Sequence, residues 1–210
     1  MENPVLIFGA GALGHQVYDI FRNNNVLVYG FLDDDKALQG TEIGEVSVLG
    51  DTDDGGFLKV IGQKCEAFVA IGERPVRQQI TEMLLSRRKT MPVNAIHGTA
   101  VISDQAAMGH GNLLGAGTVV SAKCRIGHHN IIQIGTILEP GVVVGDFVNI
   151  GSGSVIASGV EIGAEVFIGP GVTIVSGVKI GAGARIGAGS VVVSEVPEGA
   201  TFFGNPAKKV

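Results

Sequence analysis

The sequence predicts two different architectures in one chain: a small α/β unit with a parallel sheet over residues 1–95, then an all-β coil of short parallel strands over 96–210. Three observations predict them. Short apolar runs alternate with helical patterns only in the first stretch. Aliphatic residues recur at every sixth position only in the second. Glycine follows the same divide, with 11 of the 33 before residue 96 and 22 after it.

In the first unit, the apolar run at 5–11 reads as a buried strand ending in glycines. Residues 15–24 read as a helix with Val17, Ile20 and Phe21 on its inner face. A second strand at 26–32 is closed by the acidic run Asp33, Asp34 and Asp35. A third at 45–50 precedes an Asp- and Gly-rich turn. Residues 65–72 read as a fourth buried strand, and 74–88 as a helix with Val76, Ile80, Met83 and Leu84 turned inward. Strands alternating with helices imply a parallel sheet.

The second unit obeys a period of six. Stepping from Ile96 through Ile102 and Met108 to Val192 meets an aliphatic residue or Met at all 17 positions, and glycine follows nine of them. Six suits neither an isolated helix, at about 3.6 residues per turn, nor a simple meander. It suits a triangular coil, three short strands per turn, each pointing one large side chain inward. Glycine after the aliphatic supplies a positive φ or a close approach at each corner. Residues 18 apart then stack on neighbouring rungs, about 4.8 Å apart, with no insertion and no projecting loop. Concave sites arise where one prism meets another, which predicts an oligomer, most simply a homotrimer.

Composition narrows the function. The chain is 45% AVILMFWYC and 17% charged, with a net charge of -5. That is apolar enough for a large core and lacks the basic excess of a nucleic-acid binder. Cys65 and Cys124 cannot make a disulfide framework and suit a reducing compartment. The N-terminus lacks the basic segment of a signal peptide, and no run nears the ~18 apolar residues of a membrane span. The expectation is a soluble, cytoplasmic protein with no nucleic-acid or membrane partner. No Cys/His cluster has metal-ligand spacing, so no metal is expected.

Gly9, Gly11 and Gly14 form G-x-G-x-x-G between a strand and a helix. With Ala12 and Leu13 they would present backbone N–H groups to a diphosphate. Asp33 or Asp34, closing the next strand, would accept hydrogen bonds from a ribose or base. Three readings stay open: a sugar nucleotide, a nicotinamide dinucleotide, or a tight turn with no ligand. The unit spans about half of a full Rossmann fold, which favours the sugar nucleotide.

The hexapeptide pattern resembles that of the left-handed parallel β-helix acyltransferases. The chain is more closely similar to one branch, the NeuD/PglD-type sugar O- and N-acetyltransferases, which place a small Rossmann-like domain before the β-helix and end in a G-x-P-A-K segment. The matching pieces are IFGAGALGHQV, GFLDDDKALQG, VAIGERPVRQQI, AVISDQAAMGHG, VVVGDFVNIGSGSVIASGV and FFGNPAKKV, and they run essentially the whole length. The resemblance implies a homotrimer that takes acetyl-CoA and a nucleotide-linked, usually UDP-linked, amino sugar between prisms. Residues 1–95 would be the sugar-nucleotide-binding domain, and 96–210 the acyltransferase domain with a C-terminal tail.

The resemblance also implies site residues. Ser158, Gly159, Ala188 and Gly189 match small-residue spots along which a pantetheine arm can lie, although prism corners alone would also require small residues. Lys208, with Lys209, would meet CoA phosphates or else belong to a solvated tail. Asn149 stands where the family has a second His near the acyl donor. The family's catalytic His falls at Pro140 and its acidic neighbour at Gly141. Proline cannot take a proton.

Phase offers a replacement. His110, His128 and Asp146 lie 18 apart and stack up one corner, whereas Pro140 stacks with Ala122, Ser158 and Ser176 up another. In a trimer the His/Asp column could face a neighbour's Pro140 corner and rebuild a base with an orienting carboxylate. The alternative is that all three are solvated corner residues. His129 is expected at the surface. Two functions follow: acetyl transfer from acetyl-CoA to a nucleotide-linked amino sugar, or a catalytically impaired protein that binds CoA or sugar nucleotide without turnover.

Overall fold

The computed structural model describes residues 3–210. They divide into two compact units, with the boundary between Ala95 and Ile96.

The first unit runs β1 (Val5–Phe8), α1 (Ala12–Asn23), β2 (Val28–Leu32), β3 (Glu42–Ile43), β4 (Val46–Gly50), α2 (Gly55–Leu58), β5 (Glu66–Val69) and α3 (Arg74–Arg88). Its sheet order is β3-β4-β2-β1-β5, parallel except for the antiparallel β3–β4 edge. All four residues of the central β1 are buried. A strand covered on both faces must be continuously apolar, and VLIF is. α1 buries Gly14, Val17, Ile20 and Phe21, the expected face.

α3 departs from expectation. Ile80 and Leu84 are buried, but the other inward positions are Arg77 and Thr81, while Val76 is exposed and Met83 half-buried. Positions 77, 80, 81 and 84 form one helical stripe. Arginine is tolerated there because its Nη1 donates to the Ile71 and Gly72 carbonyls at 2.7 and 3.0 Å.

The second unit is a left-handed parallel β-helix. Among the described residues it holds seventeen two-residue strands, from Ala95–Ile96 to Val191–Val192. Val101, Val119, Ile137, Val155, Thr173 and Val191 pair in series, 18 apart at every step, so the sixfold phase holds without a slip. Leu114 and every later inward aliphatic through Val192 are buried, but Ile96, Ile102 and Met108 are only partly so. These three form the first turn, where a rung covers them from one side only. Beyond Val192 the turn shortens to 16 residues, pairing Ile186 with Phe202, and an antiparallel pair (Thr201–Gly204 with Ala207–Lys209) ends the sheet.

From Asn112 onward each hexapeptide buries a second residue, two places before the aliphatic. Cys124, Val142, Val160 and Val172 are apolar examples; Asn112, Thr118, Asn130, Thr136 and Ser154 are polar and fully buried. The polar ones bond the coil's own backbone. Thr118 Oγ1 donates to Gly115 O at 2.8 Å, and Asn130 Oδ1 accepts from Val148 N at 2.7 Å. Asn130 Nδ2 has no hydrogen-bond partner.

Glycine's two expected tasks fall to different columns. The glycine after the aliphatic allows close approach: a Cβ on Gly145 would lie 2.7 Å from Ala164 N. The positive φ belongs to a glycine two places further on, such as Gly159 at 71°. Four other residues hold that conformation: Lys123, His129, Phe147 and Glu165, at φ 57–64°. Three of them stack in one column beside His128 and Asp146. A left-handed non-glycine residue costs roughly 1–2 kcal/mol.

Candidate functional site

The first unit carries a cavity of about 470 Å³ at the carboxyl ends of β1, β2 and β5. Gly9, Gly11, Ala12, Leu13, Asp33 and Asp34, all expected to bind ligand, line it. Gly14 does not. It is buried, and a Cβ there would strike the Gly9 carbonyl, so it serves helix-to-turn packing. Gly9 is also required by the turn, at φ 104° and with no room for a Cβ beside Ala70 O. Gly11 is not: its φ is -76° and a Cβ would meet nothing within 4 Å. The open space at Gly11 faces the cavity, so the tight-turn reading accounts for two of the three glycines.

Two helices start at this cavity. The caps of α1 and α3, Gly11 and Glu73, make no side-chain capping bond. The first-turn N–H groups of α1 have no carbonyl four residues earlier and attract an anion, whereas α3 opens on Arg74 and Pro75, and proline has no N–H. Carboxylates stand beside them. Asp33 accepts from Ala10 N at 2.7 Å and Asp35 N at 2.9 Å; Asp34 accepts from Thr52 N and Oγ1 at 2.8 and 2.9 Å. Helix-start donors on α1 plus fixed acceptors suit a ligand with both phosphate and hydroxyl groups. Arg77 lies under the rim and holds the Ile71–Gly72 backbone. Burial foremost, and Arg74 beside it, push its pKa down to about 10, against Glu73, which raises it. The sequence marks Arg77 only as an arginine on an apolar stripe.

On the coil, the second residue past each inward aliphatic sits at a corner, where its amide falls outside the carbonyl ladder. Proline at 140 therefore sacrifices no ladder bond. Where an amide exists, side chains can cap it. The expected column of His110, His128 and Asp146 is present, with the two imidazoles stacked at 5.8 Å between centroids. Its bonding differs from the expected dyad. His128 Nδ1 accepts from His110 N at 3.0 Å, and Asp146 Oδ1 accepts from His128 N at 2.7 Å, so the carboxylate supports backbone and not the ring. An Nδ1 that accepts an amide proton leaves the ring proton on Nε2. His129, expected at the surface, is buried and stacks on Phe147 at 4.9 Å. The left-handed backbone of both residues folds these rings together.

At the Pro140 corner the capping group is Glu139. Its Oε2 accepts from Ser158 N and Ser158 Oγ, both at 2.9 Å. Glu139 was not among the expected residues, though a signal exists: it is the sole carboxylate in any position directly after an inward aliphatic.

The positions expected to bind CoA do not converge within one chain. Ser158 and Gly159 share the Pro140 corner; Ala188 and Gly189 lie at another. Asn149 is on a strand pairing Ile131 and Phe167, and Lys208 pairs Phe203 in the terminal hairpin. Both cysteines are buried, and burial raises their pKa, Cys65 to about 11, so neither offers a thiolate. Among the described residues no cluster of His, Cys, Asp and Glu could hold a metal, and no helix is long and apolar enough to cross a membrane.

A parallel α/β unit with a phosphate-suited cavity, followed by a hexapeptide β-helix, defines a class of acyltransferase. The comparisons agree. Residues 4–84 match the PglD N-terminal domain, and 159–194 match the bacterial transferase hexapeptide of six repeats. No curated protein sequence matches significantly. Among solved structures, the chain is similar to a histidine-to-asparagine variant of perosamine N-acetyltransferase from Caulobacter crescentus in complex with CoA and GDP-perosamine: 32% identity, 100% and 98% of the two chains, TM-score 0.91. It is similar to the acetyltransferase domain of PglB from Neisseria gonorrhoeae in complex with acetyl coenzyme A, at 27% identity over 100% of both chains, TM-score 0.90. It is also similar to WeeI from Acinetobacter baumannii, at 27% identity over 99% of both chains, TM-score 0.87. The chain belongs to the NeuD/PglD-type sugar acetyltransferase family.

Proposed function

We propose that this protein transfers an acetyl group from acetyl-CoA to the amine of a nucleotide-linked sugar. One observation carries the reading: the cavity at the start of α1 offers first-turn N–H groups for a diphosphate beside Asp33 and Asp34 for ribose or base. A diphosphate-linked acceptor fits that pairing, and relatives of full length carry CoA and GDP-perosamine. The acceptor is UDP- or GDP-linked.

The acyl-donor site is completed by a second copy, in a homotrimer. The outward ladder Val101, Val119, Ile137, Val155, Thr173 and Val191 makes one face of the prism apolar but for Thr173, with Val101 62% and Ile137 37% exposed. Four consecutive apolar rungs, Val101 to Val155, suit a partner surface. That face lies between the Ser158–Gly159 and Ala188–Gly189 corners, so its pairing brings one copy's corner toward the next copy, where Asn149 and Lys208 would contribute.

A second reading, binding without turnover, rests on Pro140. One experiment separates the two. The purified protein is given acetyl-CoA with UDP- and GDP-linked amino sugars while free thiol is followed, and calorimetry measures binding of each ligand. Thiol release with one acceptor is expected. Tight binding with no release from any acceptor would establish the second reading.

A further inference from the structure

We infer that Glu139 is the proton acceptor for acyl transfer. This rests on the proposed acetyl transfer and on Ser158 lying against the acyl donor. Attack of a neutral amine on a thioester needs a nearby group to take the N–H proton. His128 is committed at Nδ1 and Asp146 at Oδ1, both to backbone amides of another corner. Glu139 lies at the Ser158 corner itself. Both of its hydrogen bonds use Oε2, and both donors belong to Ser158. The carboxylate is thereby fixed in place with Oε1 left to meet a proton. Gly141 and Gly159, both in left-handed turns, keep the surrounding corner free of side chains.

The step balances. The amine nitrogen attacks the thioester carbonyl carbon, a C–N bond forms, and the carbonyl π pair moves to oxygen. The positively charged nitrogen gives one proton to Glu139 Oε1. The C=O re-forms as the C–S bond breaks, and the carboxylic acid returns that proton to the departing thiolate, giving the N-acetyl sugar and free CoA. Carboxylic acids are stronger acids than thiols, so the return of the proton to the thiolate is downhill. Pro140 fits this scheme because it stiffens the backbone next to the acceptor without a competing N–H.

Glu139→Gln tests it, because the amide oxygen can still accept from Ser158 while the proton acceptor is gone. In the full-length protein, with the acceptor that supports thiol release, kcat should fall about 100-fold. The KM for acetyl-CoA should stay within about threefold and the melting temperature should be unchanged; Glu139→Asp should recover part of the rate. A merely structural Glu139 would shift KM or melting temperature and leave kcat. Glu139→Gln with more than a third of the native kcat overturns the inference alone, as does a loss of turnover in His110→Ala matched by none in Glu139→Gln. No thiol release by the native protein overturns the proposed reaction as well.

Discussion

The α/β unit and the coil both expose backbone N–H groups at turns, and they do so with opposite curvature. In the first unit, the ends of β1, β2 and β5 and the starts of α1 and α3 surround a cavity, so donors and carboxylates from distant parts of the chain converge. In the coil, the free amides sit on convex corners, each capped, if at all, by a side chain one rung away. Convergence is complete within one copy in the first case; on the proposed reading it needs a neighbour in the second. A site made of corners is therefore as sensitive to assembly as to its own residues.

The sharpest way to break this contrast is Val155→Arg, at the centre of the apolar face. Light scattering should show monomers, and turnover should drop about 100-fold or more as the reacting groups lose alignment. Sugar-nucleotide binding by calorimetry should be kept. Retention of a native-like mass would remove the two-copy account of the coil.

Arg77→Ala probes the other side. It strands the Ile71 and Gly72 carbonyls that the guanidinium holds, and should destabilise the protein by about 2–3 kcal/mol in urea unfolding. It should also weaken sugar-nucleotide binding while leaving CoA affinity unaltered. Equal losses for both ligands would contradict a division of labour.

Asp33→Ala should act more gently. Ala10 N loses its acceptor beside the glycine turn, and nucleotide affinity should fall about tenfold, near 1.4 kcal/mol, with little change in acetyl-CoA binding. An unaltered Kd would leave Asp33 a purely local brace.

The smallest effect is expected at Lys123, exposed and left-handed at φ 63°. Lys123→Gly should stabilise the coil by roughly 0.5 kcal/mol, relief of backbone strain exceeding the added chain entropy. Loss of stability there would mean that left-handed side chains in the coil are supported by contacts, as His129 and Phe147 are.

The coil is the more readable unit because each residue's environment is set by its neighbour 18 positions away, and phase alone assigns it. Thus Ser158 and Pro140, or His110, His128 and Asp146, fall into their columns by counting. Counting says nothing of where a side chain bends. Whether Asp146 would reach the His128 ring or its amide, and whether Glu139 would turn outward or up to Ser158, depends on rotamers and on which corner N–H lacks a carbonyl. In α3 the same gap appears as Arg77, charged in the sequence and buried in the fold because two carbonyls from a preceding loop receive it.

From the amino-acid order alone come the two architectures, the unbroken register from Ile96 to Val192 and the glycine turn of the first unit, since each is a periodic or local property of the backbone. Only the tertiary structure decided which amides stay unpaired, which glycines are forced by packing and that the Glu139 carboxylate turns to Ser158. Those outcomes hinge on hydrogen-bond partners brought together across rungs and loops, and distance along the chain does not encode the direction in which a side chain points.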